Sequence, residues 1–308
     1  MKFSSEELIE LTMPDGGRFS VEGIEQAFNF CRNMTISHYE NFPVASLLIP
    51  RSYRNSVFSV YAFARIADDI ADEPLDISAE DRLKALDSLE ALISVAGYAK
   101  GRFHNPIALA LGETIKSNDL PLQPFQKLIK AFRQDIRFEQ PVDFNDLLAY
   151  CSYSANPVGE LILRLFKLYD SNTSSLSESI CTGLQLVNFW QDLSRDINIG
   201  RLYIPQEILQ NEHINKENLQ DLKKSPILRQ CLTEIYDYTE KFFDAGEGLL
   251  KHLKPLRLKL EIAATIAGGK IVLLKIRDLE NDVFIIRPEI RKKDILRIII
   301  ETIKLMFR

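Results

Sequence analysis

Residues 183–205 read GLQLVNFWQDLSRDINIGRLYIP, and three oxygen-bearing side chains in that stretch, Asn188, Asp192 and Asp196, stand at i, i+4 and i+8. On a helix this spacing holds all three within about 80° of one face over two turns. Thirteen uncharged residues end at Gln191, so the turns before the stripe are expected to be buried and the stripe is not simply a solvated face. Magnesium takes carboxylate, carboxamide and water oxygens and usually shares its shell with substrate phosphate, so the row suits a diphosphate held through metal. Arg195 and Arg201, next to it, can bind phosphate oxygens directly or close local salt bridges.

A second acidic signal lies upstream in Ser56 to Glu73, SVFSVYAFARIADDIADE. Asp68 and Asp72 fall about 40° apart on a helix, while Asp69 points roughly a quarter-turn away. Like charges at this spacing are mildly destabilising unless a cation sits between them. Val57, Val60, Tyr61 and Ala64 turn the helix toward the interior, and the pair taken alone reads either as a solvated face or as a metal site. Two acidic helices facing each other in an all-α protein define a reaction class: Mg²⁺-assisted departure of diphosphate from an allylic or cyclopropylcarbinyl carbon, with an apolar cavity keeping the carbocation from water.

Elsewhere the apolar residues recur at three and four, as in Leu83, Leu86, Leu89, Leu92 and Ile93, then Phe125, Leu128, Ile129 and Phe132. Breakers such as Pro74, Pro121, Pro141, Gly200, Pro226 and Pro255 separate the helical patterns. Roughly eight to ten helices in a single all-α domain over residues 1–308 are expected, with no repeat or long linker and neither a Rossmann nor a P-loop fingerprint. The 308 residues are 46% hydrophobic and 26% charged, which excludes a disordered chain. A net charge of −5 excludes a basic field for nucleic acid, so no nucleic-acid partner is expected. Charge appears by Lys2, Glu6 and Glu7, and no uncharged run exceeds 13 residues, so a cytoplasmic chain without a transmembrane helix is expected. Cys31, Cys151, Cys181 and Cys231 are scattered and read as reduced packing residues, and the four histidines form no ligand cluster.

Five pieces in order, HYENFPVASLLIP (38–50), YAFARIADDIADE (61–73), FRQD (132–135), YCSYSANPVG (150–159) and QLVNFWQDLSRDINIGRLYIP (185–205), closely resemble the squalene/phytoene synthase family, which joins or rearranges prenyl diphosphates head to head. The resemblance implies an isoprenoid-synthase helical fold with a central active-site cavity, in which Asp68 and Asp72 face Asn188, Asp192 and Asp196 across three Mg²⁺ ions. It further implies that Arg65, Arg201 and Tyr203 contact or position diphosphate, that Phe42, Tyr61 and Gln185 line the prenyl pocket with His38 and Arg195 as further substrate contacts, and that Tyr150 is the catalytic tyrosine. Head-to-tail prenyltransferases usually carry D-D-x-x-D twice and terpene cyclases an Asn/Ser/Glu triad; neither fits as well as the N-x-x-x-D-x-x-x-D seen here.

Phytoene and many squalene synthases read close to N-x-x-R-D-x-x-E-D, whereas Phe189-Trp190-Gln191-Asp192 and the HYENFPV start resemble bacterial hydroxysqualene synthases of hopanoid pathways. That branch implies ionisation of presqualene diphosphate, rearrangement and capture by water, with a presqualene diphosphate synthase as partner and no NADPH. Gln191 in place of an arginine removes a diphosphate-directed charge, and Glu40 stands where relatives often carry a cation. Two other readings stay open: condensation of two prenyl diphosphates to presqualene diphosphate, squalene, phytoene or dehydrosqualene, and an inactive assembly partner, whose mark, loss of metal ligands, is absent.

Two further segments carry expectations. In Tyr150 to Gly159, Pro157 has no N–H for the Tyr153 carbonyl, so Asn156 either helps to hold the water that captures the cation or belongs to a simple helix bend. In Arg291 to Arg308, RKKDILRIIIETIKLMFR, apolar and basic residues interleave, as on a helix lying at the inner membrane face or on a terminal helix packed on the core.

Overall fold

The computed structural model describes residues 3–37, 48–72, 76–96, 103–211, 214 and 225–308. Every regular element among them is a helix, as the three-and-four spacing predicts. There are thirteen α-helices among the described residues, not eight to ten. Short helices account for part of the difference. α1 (Ser5–Glu10) has six residues and is seeded by a capping box, in which the Glu7 N–H donates to Ser4 Oγ and the Ser4 N–H donates to the Glu7 carboxylate. The 144–165 stretch is two helices, because Ala155 leaves helical geometry at φ −119° just before Pro157.

The chain forms two compact units, one of Met1–Arg137 with Glu160–Tyr169 and one of Phe138–Gly159 with Asp170–Arg308. In the first, α3 (Arg51–Asp72) is the axis, packed by α2 (Ile24–Ser37), α4 (Ala79–Ala96), α5 (Pro106–Asn118) and α6 (Gln123–Ile136). Its fully buried side is Ala62, Phe63, Ile66, Ala67 and Ile70, spaced for one helical stripe. Phe63 meets Phe125 of α6 edge to face at 5.4 Å, and the Ser59 and Thr114 hydroxyls bond at 2.8 Å, so this polar pair is buried without loss. Arg82 of α4 donates Nε to the Ile70 carbonyl at 2.7 Å and a second nitrogen to the Ala71 carbonyl, answering acceptors that the end of α3 leaves open.

In the second unit the axis is α9 (Ser171–Asp196), 26 residues started by Asp170, whose carboxylate accepts from the Asn172 and Thr173 N–H groups. It packs against α7 (Phe144–Ser154), α11 (Pro226–Gly246) and α12 (Leu256–Leu279). Trp190 is fully buried and donates its indole N–H to Thr239 Oγ1 at 2.8 Å, which fixes α9 on α11. A Cβ on Gly246 would lie 2.5 Å from Ile180 and one on Gly269 2.7 Å from Phe243; glycine at these crossings lets the helices approach. α8 (Asn156–Leu165) crosses from the second unit into the first, the short α10 (Gln206–Asn211) follows the stripe, and α13 (Lys292–Met306) packs on α12. The four cysteines are free thiols, three of them buried, and burial pushes Cys31 and Cys151 up to about 12. Among the described residues no helix is long and apolar enough to cross a membrane.

Glu261 on α12 is the misfit of this core. Burial alone pushes its carboxyl up to about 7, and Oε2 has no hydrogen-bond partner among the described residues. An unfolded carboxyl at the ordinary 4.5 ionises first as pH rises, so stability contributed by this group falls between pH 4.5 and 7 and stays low above. Glu261→Gln is therefore expected to raise the melting temperature at pH 8 and to leave it unchanged near pH 4, as read from circular-dichroism melts at both values.

Candidate active site

Each acidic stripe is built inside one unit. On α3, Tyr61, Arg65, Asp68 and Asp72 follow at i, i+4, i+7 and i+11, a sector of about 60° on one face. The Arg65 guanidinium sits 3.5 Å from Asp68 and directly on Asp69. Burial works against that charge, but Asp69 and Asp68 outweigh it and hold the Arg65 pKa above the ordinary arginine value. Asp69 is 3% exposed, so the quarter-turn that takes it off the ligand face carries it into the core. Tyr61 is half-buried, and burial raises its phenol, with Arg65 pulling the other way.

On α9, Gln185, Asn188, Asp192 and Asp196 share one face, with Arg195 at its edge. Asn188 and Arg195 are exposed and Gln185, Asp192 and Asp196 half-buried, while Leu186, Val187, Phe189, Trp190 and Leu193 behind them are buried. The helix therefore offers oxygen ligands on one side and core on the other, as the uncharged run indicates. Gly200, at φ +83°, closes the turn after α9 in the left-handed region that favours glycine. Beyond it Arg201 donates its N–H to the Asp196 carbonyl at 2.8 Å, and Tyr203 stacks on Phe189 at 3.9 Å with ring planes 12° apart. Tyr150 of α7 completes an aromatic group, 5.8 Å from Phe189 and 6.0 Å from Tyr203. Tyr150, Tyr203 and the α9 stripe are thus brought together.

Asn156 is placed differently. Its carboxamide oxygen accepts from Thr182 Oγ1 of α9 at 3.1 Å, a tie between the first turn of α8 and the flank of the stripe helix. His38 and Phe42 lie outside the described residues, and Asp72 is described only as the last residue of α3.

One residue escaped the sequence reading. Arg287, 95 positions from its partner, sets its guanidinium on Asp192, and next to it the Pro288 carbonyl accepts from Gln191 Nε2 at 2.7 Å. Two consecutive residues of α9 thereby hold two consecutive residues of the segment before α13. The lone cation in the apolar Phe284-Ile285-Ile286-Arg287-Pro288 was the available signal, but nothing local points it at α9. Carboxylate and carboxamide oxygens without cysteine or histidine fit a hard divalent cation. Among the described residues no three His, Cys, Asp or Glu side chains gather into a metal cage.

The squalene/phytoene synthase family model matches residues 36–294, and the chain belongs to the squalene/phytoene synthase family, a family of enzymes. It is 32% identical over 250 residues to the hydroxysqualene synthase of Sinorhizobium fredii, covering 80% of this chain and 83% of that one. The hydroxysqualene synthase of Rhodopseudomonas palustris is 33% identical over 78% of this chain and 80% of its own. Among solved structures, the squalene synthase HpnC from Alicyclobacillus acidocaldarius superposes with a TM-score of 0.76 at 34% identity, over 88% of this chain and 98% of that one. The expected all-α, squalene synthase-like fold is the one observed.

The two neighbouring aspartates of α3 separate by experiment. Asp69→Ala leaves the Arg65 charge without its buried partner and is expected to cost ~3 kcal/mol of stability, seen as an early thermal melt. Asp68→Ala, on the more open face, is expected to melt close to the parent while losing turnover.

Proposed function

We propose that this enzyme is a hydroxysqualene synthase, ionising presqualene diphosphate, rearranging the cyclopropylcarbinyl cation and capturing it with water. The observation that carries this reading is the likeness to two hydroxysqualene synthases across about four-fifths of the chain.

In this reading Asp68, Asp72, Asn188, Asp192 and Asp196 would hold three Mg²⁺ ions, which when bound would neutralise the departing diphosphate. Arg65, Arg195 and Arg201 donate to diphosphate oxygens. The carbon–oxygen bond breaks with its electron pair leaving on diphosphate. Tyr203 positions diphosphate and Tyr150 is the catalytic tyrosine, while Tyr61 and Gln185 contact the prenyl chain. Water then supplies an electron pair to carbon and loses a proton to the Tyr150 oxygen or to the released diphosphate. Asn156, its oxygen engaged by Thr182, can orient that water only through its NH₂ group. No step consumes NADPH, and a presqualene diphosphate synthase is the matching partner upstream.

Purified protein with Mg²⁺ and no NADPH is expected to convert presqualene diphosphate to an alcohol of hydroxysqualene mass and to leave farnesyl diphosphate unchanged. Presqualene diphosphate or a carotenoid precursor formed from farnesyl diphosphate would assign the condensation reaction instead. Alanine at each of the five ligand positions is expected to lower turnover ~100-fold or more, the scale for removing one group that stabilises transition-state charge, with the far-UV spectrum unchanged.

A further inference from the structure

α13 exposes more apolar surface than a packed terminal helix should. Thr302 and Leu305 are its buried residues, turned to α12, whereas Ile295, Leu296, Ile299, Ile300, Ile303 and Phe307 are 45 to 88% exposed. At 100° per residue these six fall in one sector of about 140°. Exposed apolar residues scattered singly need no explanation, but a contiguous row of six does.

The flank of the row is basic. Lys293, Arg297, Lys304 and Arg308 continue the helix circumference from its edge, and residues 291–308 hold six basic and two acidic side chains in a chain of net charge −5. The same edge borders a cleft of about 210 Å³ between α12 and α13, to which Lys270, Arg277, Arg297, Lys304 and Arg308 contribute cations against Glu240, Glu247 and Glu301. Several of these are paired: Lys270 with Asp244 and Glu247, Arg277 with Asp237 and Glu240, Lys304 with Glu301, and Arg308 with Glu247. Arg297 has no ion pair among the described residues.

We propose that this face of α13 docks on the anionic surface of a lipid bilayer, the apolar row entering the headgroup–acyl boundary and the basic edge meeting lipid phosphates. A second copy of the chain fits less well. An isologous contact sets a patch against itself, and here net positive charge would meet net positive charge. The cations already paired within the cleft keep the helix on α12, which leaves Lys293 and Arg297 as the charges most available to lipid.

The test is flotation of the full chain with phosphatidylcholine vesicles, with and without phosphatidylglycerol. Binding to the phosphatidylglycerol vesicles is expected, weakened by high salt. Ile299→Glu with Ile303→Glu, both on the exposed row, is expected to cut the bound fraction ~10-fold, and Lys293→Glu with Arg297→Glu to remove the preference for phosphatidylglycerol. Absence of flotation by the parent protein, or equal flotation by the Ile299/Ile303 variant, would overturn the proposal. So would a parent dimer that the same variant disperses without any vesicle binding, which would assign the face to a second copy. Should the apolar variant melt early, Phe307→Trp gives a second readout: its emission is expected to shift to the blue on phosphatidylglycerol vesicles, and an unshifted spectrum overturns the proposal.

Discussion

Both acidic rows sit at the wrong end of their helices. α3 finishes at Asp72 and α9 at Asp196, so Asp68, Asp72, Asp192 and Asp196 add negative charge where the helix dipole is already negative and carbonyls lack partners. Charge placed this way on half-buried helices has to be answered, and much of the structure around each row answers it. In the first unit Arg65 bridges Asp68 and Asp69, and Arg82 takes the carbonyls of Ile70 and Ala71. In the second, Arg287 comes from 95 positions away to reach Asp192. In the proposed reading a divalent cation supplies the further answer, because it binds several oxygens at once.

The apolar side of α9 has the complementary task. Trp190 is bonded to Thr239, Gly246 and Gly269 allow close crossings, and Tyr203 lies flat on Phe189. These contacts leave the stripe helix little freedom to rotate. A rotation of one residue step would move Asn188, Asp192 and Asp196 by about 100° and bury charge in the core. Packing on one side therefore sets the ligand direction on the other.

Periodicity made the helices legible, and the i, i+4, i+8 spacing made the α9 row legible, since both depend on neighbours along the chain. Short elements were harder to read. The six residues of α1 rest on one capping box, a feature too small to stand out in an apolar pattern, whereas the missing N–H of Pro157 did mark the bend at Ala155. Contacts between distant segments left no trace at all. The Arg287–Asp192 pair and the Thr182–Asn156 bond join residues 95 and 26 positions apart, and helix spacing says nothing about either. Asp69 lies between these cases: its direction off the ligand face was readable, but not its burial against Arg65, which depends on the helices that surround α3.

Position 191 ties these points together. An arginine there, as the resemblance associates with phytoene synthases, would stand beside Arg287, so that two guanidinium groups would compete around the Asp192 carboxylate. Glutamine removes that repulsion and keeps a donor for the Pro288 carbonyl, which holds the neighbouring Arg287 over Asp192. Gln191 and Arg287 are thus matched: the cation at this turn of α9 is delivered from another segment, held by its own pair with Asp192 and by the carboxamide bond to the neighbouring Pro288 carbonyl.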